Sequence, residues 1–178
     1  MTTYERDEVE AAFRHYWELG AVGEDWDAWV DECFTDDVTY VEHVLGNMSG
    51  REEVRGWIKP IMEDFCELYT AYEWHQVGDD GRVIAYMQNR RDNPEPGGGP
   101  IDFPGITVLQ YAGDGRFSLE EDFWAYPGAM AASKQYAEAS ATYDPGHKEK
   151  RTRRHWGDGP AWTQGADTWA GSLGAQRA

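Results

Sequence analysis

The sequence predicts an α+β domain, with helices first and an antiparallel sheet after them. Three observations carry this. Apolar residues recur every three or four positions through the first third of the chain, which is helical spacing. From Leu68 onward, short runs with strand-like alternation replace it, separated by glycine and proline turns. The composition, 40% hydrophobic and 14% aromatic in 178 residues, is enough to bury one core without a disulfide or metal staple.

Residues 5–22 read as the first helix, with Val9, Phe13, Tyr16, Trp17 and Leu19 on one face. Gly20 and Gly23 break it. Asp25 to Cys33 reads as a second helix that carries Trp26, Trp29, Val30 and Cys33 on one side. The period then falls to two: Val38, Tyr40 and Glu42 share one strand face, and Thr39, Val41 and His43 the other. Gly46 to Gly50 reads as a turn, with Ser49 as N-cap of a third helix. That helix presents Val54, Trp57, Ile58, Ile61 and Met62, and Pro60 is expected to kink it. Strands follow at Leu68 to Val77, Arg82 to Arg91, Ile106 to Tyr111 and Phe117 to Tyr126. Between them stand the Gly78–Gly81 turn, the Asn93–Pro100 loop and the Ala112–Gly115 hairpin turn. Ala129 to Ala141 is a last, alanine-rich helix.

Charge narrows the function. Lys and Arg total 16 against 33 Asp and Glu, a formal net charge of −17. Such a chain repels phosphate, so nucleic acid and anionic membranes are not expected partners. No apolar run approaches the roughly 20 residues of a membrane span. The N-terminus is charged where a signal peptide would be apolar, so a cytoplasmic protein with Cys33 and Cys66 as reduced thiols is expected. Histidines and acids show no metal spacing. The glycines of 93–99 form no phosphate loop, and no Ser or Cys stands in a nucleophile motif. No metal and no cofactor are expected.

The end of the chain differs in composition. Lys148, Lys150, Arg151, Arg153 and Arg154 face a single acid, Glu149, in that stretch, and Trp156, Trp162 and Trp169 follow among glycines. Free tails rarely keep large apolar rings in water. The basic stretch is therefore expected on the acidic body, with the tryptophans covering a pocket or a partner subunit.

Several segments together carry a resemblance. They are Trp26-Asp27-Ala28-Trp29, Phe34-Thr35-Asp36-Asp37-Val38-Thr39-Tyr40, Gly50-Arg51-Glu52-Glu53-Val54, Asp114-Gly115-Arg116-Phe117 and Glu121-Asp122-Phe123-Trp124. In order and spacing the chain resembles the NTF2-like superfamily, in particular SnoaL-like polyketide cyclases, ketosteroid isomerases and limonene-epoxide hydrolases. The likeness spans residues 5–140, which sets a domain at 1–142 and a basic, Trp- and Gly-containing extension at 143–178. It implies a cone: a strongly curved antiparallel sheet packed against three N-terminal helices around a deep apolar pocket. It also implies a homodimer through sheet faces. The superfamily hosts isomerases, dehydratases, cyclases, hydrolases and non-catalytic binders, so function must come from the site.

By this resemblance Glu42 falls where ketosteroid isomerases keep their proton-shuttling carboxylate. Tyr40 and Glu42 fall where limonene-epoxide hydrolases hold the attacking water with a Tyr and an Asn. Asp122 matches the aspartate on the last strand of those hydrolases. Pattern alone is ambiguous there: Phe117, Leu119, Glu121 and Phe123 form the more apolar face, and the resemblance favours Ser118, Glu120, Asp122 and Trp124. Two carboxyls facing one cavity would separate into acid and base. The hydrolases' Arg and Asp correspond to Met87 and Asn89, while Arg90 and Asp92 sit three residues late, so the hydrolytic triad is not expected. Asn89 could orient a substrate carbonyl or a water, and Arg91, on its face, could bind an anionic group. Tyr16 lies near the isomerases' oxyanion-donating tyrosine. No residue matches their second donor, a protonated aspartate; Thr107 only stands at the nearest position, which counts against a strict isomerase. His75 is a possible acid on a strand, and His43 points away from Glu42.

The expected function is cofactor-independent acid–base catalysis of the isomerase, dehydratase or cyclase type. Its substrate would be an apolar carbonyl compound such as a polyketide, steroid or terpenoid. Glu42, Asp122, Tyr40, Tyr16 and Asn89 would be catalytic, and His75, Arg91, Trp124 and Met87 would bind substrate. Epoxide hydrolysis and non-catalytic binding are the alternatives.

Overall fold

The computed structural model describes residues 3–163. Helix α1 (Arg6–Trp17) buries Val9, Phe13, Tyr16 and Trp17. The helix does not run regularly to residue 22: its last turn, Glu18–Val22, widens into π-helix. Gly20 lies there, and a Cβ at this position would stand 2.6 Å from Trp29 Nε1. Glycine therefore lets the indole of the next helix pack on the backbone. Helix α2 (Trp26–Cys33) follows, its start held by the Asp25 carboxylate, which accepts from the Ala28 backbone N–H at 3.1 Å.

Strand β1 (Phe34–Glu42) pairs antiparallel with β2 (Gly46–Ser49). The segment expected as a turn is thus mostly a strand. The cap of helix α3 (Arg51–Asp64) is Gly50 rather than Ser49, because the chain turns there at φ 80°, which glycine adopts freely. Ser49 instead donates its backbone N–H to Glu53 at 2.8 Å. The helix continues past Pro60 to Asp64.

The remaining strands are β3 (Tyr69–Val77), β4 (Arg82–Arg91), β5 (Ile101–Gly113) and β6 (Arg116–Trp124), and helix α4 (Tyr126–Tyr143) follows. Strand β5 begins five residues before the expected Ile106. Pro104 and Gly105 mask the signal, yet Ile101, Phe103, Thr107 and Leu109 alternate into the interior.

The strand order is β2-β1-β6-β5-β4-β3. Strands β3 to β6 form the expected antiparallel meander, but β1 joins β6 in parallel. The sheet is therefore a curved, unclosed mixed sheet packed on helices, an α+β arrangement. A parallel join has no local turn to announce it.

Beyond α4, residues 144–163 lie on β3 and the end of β4. Buried Arg153 donates to Glu24 at 3.2 Å and to the Cys66 carbonyl at 3.0 Å, with its guanidinium 4.9 Å from the Tyr69 ring. Buried Asp92 accepts from Tyr69 at 3.0 Å, from Thr152 at 2.5 Å, from the His155 backbone N–H at 3.2 Å and from the Arg154 backbone N–H. Trp156 packs on Tyr69 and Trp162 on Tyr72, at 5.2 and 5.0 Å between centroids. These two tryptophans pack on β3. Trp169 lies outside the described residues. No helix among the described residues is long and apolar enough to cross a membrane.

Candidate active site

Strand pairing aligns the polar residues in two neighbouring rows. One row runs Ala85, Thr107, Asp122, Glu42 across β4, β5, β6 and β1. The next runs Leu109, Glu120, Tyr40 across β5, β6 and β1. Ser118 is an extra residue in β6: Phe117 pairs with Tyr111 but Leu119 with Gln110. This β-bulge reverses the alternation. It lets Phe117 and Glu120, three apart, both turn inward, and it explains why pattern alone favoured the wrong face for Asp122.

Asp122 is the centre. Its Oδ2 accepts from the Tyr40 hydroxyl at 2.5 Å and its Oδ1 from the Thr107 hydroxyl at 2.6 Å. Burial pushes its carboxyl up to about 6, against the pull of these two bonds, and the Glu42 charge adds to the rise. Glu120 is 2% exposed. Its Oε1 accepts from the Tyr16 hydroxyl at 2.7 Å, and its Oε2 has no partner among the described residues. Burial, with the Asp122 charge behind it, holds the Glu120 carboxyl well above the usual carboxylate range. Burial and the neighbouring carboxyls also raise the Tyr16 and Tyr40 phenols, so both remain O–H donors near neutral pH.

Glu42 is 3% exposed and differently served. Its Oε2 accepts from the Val44 backbone N–H at 2.9 Å and from the Leu45 backbone N–H, and its Oε1 accepts from Trp124 Nε1. Three N–H donors commit both oxygens as acceptors. Glu42 therefore fixes the β1–β2 turn and the Trp124 ring, and it presents a charge beside Asp122.

These groups border a cavity of about 310 Å³ whose wall is mostly apolar, with Trp17, Trp26, Trp29, Trp57, Ile58 and Met62 supplied by the helices. Exposed Val44, Leu45, Phe65, Tyr126 and Met130 also line it. Met87, Asn89 and Arg91 line it along β4. The Thr107 hydroxyl reaches the Met87 sulfur at 3.8 Å. Arg91 donates from Nε to Glu67 at 2.8 Å and lies 5.6 Å from the Tyr136 ring.

Of the residues singled out in the sequence, Glu42, Asp122, Tyr40, Tyr16, Asn89, Arg91, Trp124 and Met87 all line this cavity. His75 does not. Its Nε2 meets Glu10 at 2.6 Å, its Nδ1 meets the Tyr72 hydroxyl at 2.9 Å, and its ring packs 4.4 Å from Phe13. An extra residue in β3 between Tyr72 and Trp74 shifts the pairing, and α1 takes the imidazole up. His43 points outward to Glu121 at 2.8 Å. Glu120 and Thr107 were not singled out as site residues. Alternation placed Glu120 with Asp122, and a carboxyl on an inward face was the available signal.

The sequence matches the family model described as the SnoaL-like domain over residues 9–119. Among the solved structures that share the fold are the following three. A protein with a ketosteroid isomerase-like fold from Catenulispora acidiphila DSM 44928, in complex with trimethylamine, is 24% identical with a TM-score of 0.55, covering 77% of this chain and 98% of its own. A protein from Jannaschia sp. CCS1 that carries the name SnoaL-like polyketide cyclase is 20% identical with a TM-score of 0.55, covering 74% of this chain and 96% of its own. An NTF2-like protein of unknown function from Burkholderia pseudomallei K96243 is 16% identical with a TM-score of 0.57, covering 71% of this chain and 95% of its own. No curated protein matches the sequence. With the family match spanning more than half of its length, the chain belongs to the SnoaL-like domain family on an NTF2-like fold.

Proposed function

We propose that this protein is an acid–base enzyme of the isomerase, dehydratase or cyclase type. Its substrate is an apolar carbonyl-bearing small molecule such as a polyketide, steroid or terpenoid. One observation carries the reading: Asp122, pushed up to about 6, sits among O–H donors on the wall of an apolar cavity. A base poised near the working pH is efficient in proton transfer. The Asp122 carboxylate takes a proton from the carbon beside the carbonyl. It returns that proton at another carbon in an isomerisation, or passes it to a departing hydroxyl in a dehydration. Glu120, whose neutral form burial favours, supplies a donor to the oxyanion that develops, and Tyr16, which donates to Glu120, holds that carboxyl in place. Asn89 orients the carbonyl. Met87 brings no charge to the neighbourhood of Asp122, which counts against epoxide hydrolysis.

A homodimer in the cytoplasm fits this reading. Trp74, Tyr86, Ile106 and Phe123 fall in one row across β3, β4, β5 and β6. Trp74 is 48% and Phe123 42% exposed. Ile106 and Phe123 also line the cavity, and the apolar row they form with Trp74 and Tyr86 suits a second copy of the same chain.

The test is solvent deuterium exchange. Tetralone, decalone and androstenedione are incubated with the protein in heavy water, and deuterium next to the carbonyl is followed by mass spectrometry. The enzyme accelerates exchange of the ketones it binds, and Asp122→Asn loses the acceleration. Binding without exchange would leave a small-molecule carrier instead.

A further inference from the structure

We propose that Gly105 is a positioning residue: the side chain it lacks leaves a notch in the sheet, and the Asn89 carboxamide lies over that notch, where it holds the carbonyl oxygen of the ligand beside Asp122. This rests on the reading of Asp122 as the base, and it adds a position which that reading does not use. On β5, Ile101, Phe103, Thr107 and Leu109 turn inward, and buried Gly105 stands between Phe103 and Thr107 with no side chain to present. Its partners across the sheet are Met87 on β4 and Trp124 on β6, and all three line the cavity. A Cβ on Gly105 would stand 2.8 Å from Asn89 Nδ2, 3.6 Å from Met87 Cγ and 3.8 Å from the Phe123 carbonyl oxygen. The backbone there is not left-handed, so space rather than conformation calls for glycine. The Asn89 carboxamide makes no hydrogen bond with another described residue. It is not among the buried unpartnered groups either, so it opens on the cavity that it lines. An amide with free donors and a free acceptor on an apolar wall is available to a ligand.

Strand pairing gives the separation in both directions of the sheet. Asn89 pairs with Phe103, and Asp122 pairs with Thr107. The backbones of Asn89 and Asp122 are thus two strands and four residues apart. At about 4.8 Å per strand and 3.3 Å per residue this is roughly 16 Å. Gly105 is one strand and two residues from Asp122, roughly 8 Å on the same spacings. By resting over Gly105, the Asn89 amide closes about half of the separation. The remainder suits one enolisable carbonyl unit. It takes a hydrogen bond of about 2.9 Å to the oxygen, the two bonds from that oxygen to its α-carbon, and a contact of about 3–3.5 Å from that carbon to the Asp122 carboxylate. An amide N–H in this place polarises the carbonyl as the proton leaves. The close approach at Gly105 involves the free end of a side chain, so a methyl group there displaces the carboxamide rather than the backbone.

The experiment uses 2-tetralone and tetralin, the hydrocarbon of the same shape. Binding is read by tryptophan fluorescence and calorimetry, independently of turnover, and deuterium exchange of the tetralone is read at saturation. Gly105→Ala should weaken tetralone binding about five- to tenfold, the loss of one hydrogen bond, and tetralin binding less than about twofold. It should also lower the saturated exchange rate. Asn89→Ala should do the same. The double variant Gly105→Ala/Asn89→Ala should be no weaker than Asn89→Ala alone, because the methyl then has no amide to displace. Should Gly105→Ala fail to fold, Asn89→Gln carries the amide one methylene farther over an intact Gly105 and should lose the tetralone contact as well. In Asp122→Asn, which removes exchange, the loss of tetralone binding on Asn89→Ala should persist. Three results each overturn the notch while leaving Asp122 chemistry standing: tetralone and tetralin weakened alike by Gly105→Ala, a Gly105→Ala effect that survives in the Asn89→Ala background, or tetralone binding undiminished in Asn89→Ala or Asn89→Gln. The expected binding pattern without any exchange by the wild type supports the notch and removes the base. If neither compound binds, the pocket reading falls and the notch with it.

Discussion

Glu42 pairs directly with Asp122 across the parallel ladder of β1 and β6, yet the two carboxyls meet different donors. Glu42 takes three N–H groups, from Val44, Leu45 and Trp124. Asp122 takes two hydroxyls, from Tyr40 and Thr107. The first carboxyl holds the β1–β2 turn and the Trp124 ring, and the second, held by side-chain hydroxyls alone, is the one the proposed chemistry uses.

The variants at these positions should therefore behave differently. Asp122→Asn should lower ketone exchange by about 10²–10⁴-fold, the usual weight of a general base. Its fold should be retained, because an amide fits the same space.

Glu42→Ala should act first on stability. Three N–H donors would lose their acceptor, at a combined cost of roughly 3 kcal/mol. Urea denaturation should show a lower midpoint with an unchanged slope.

The raised Asp122 carboxyl also sets a pH dependence. Exchange activity should rise as the pH passes through about 6 and level off above, since the carboxylate is the base. For stability the sign is opposite. A carboxyl whose folded value is raised holds its proton longer than in the unfolded chain. Ionising it in the folded state therefore costs stability, and the loss accrues from pH 4 to 6. The wild type should lose on the order of 2–3 kcal/mol over this range relative to Asp122→Asn, measured by urea denaturation at both pH values.

Asp92 fastens the segment 152–156 to the body. Burial alone would raise its carboxyl, but Thr152, the Arg154 and His155 backbone and Tyr69 outweigh it and hold the group below its ordinary value. Its contribution is present above the unfolded carboxylate range and is lost as the pH falls through the depressed folded value. Asp92→Ala should lower stability by about 2–4 kcal/mol at neutral pH, read by thermal melting.

The row of Trp74, Tyr86, Ile106 and Phe123 predicts that Trp74→Glu converts a dimer into a monomer. Sedimentation equilibrium should show half the wild-type mass, with cavity ligands still bound.

Much of this was readable beforehand because it is periodic. The helix faces of Phe13 and Trp17 and the shared face of Tyr40 and Glu42 follow from spacing of 3.6 and 2. What could not be read depends on irregularities and distant partners. The extra Ser118 hides the inward turn of β6, and the extra residue after Tyr72 puts His75 under α1 rather than in the cavity. Pro104 and Gly105 disguise the first half of β5. The raised Glu120 carboxyl depends on burial and on Asp122, against the pull of the bond from Tyr16, which approaches from α1 over a separation of 104 residues. The partner of Arg91, Glu67, comes from the α3–β3 connection, a pairing that spacing along β4 does not announce.

The most direct test is a carbon-13 NMR titration of the Asp122 side-chain carboxyl, assigned by its absence in Asp122→Asn. A midpoint near 6 is expected for a carboxyl confined among Tyr40, Thr107 and Glu42. A midpoint near 4, the value of an aspartate in open water, would contradict the confinement on which the proposed chemistry rests.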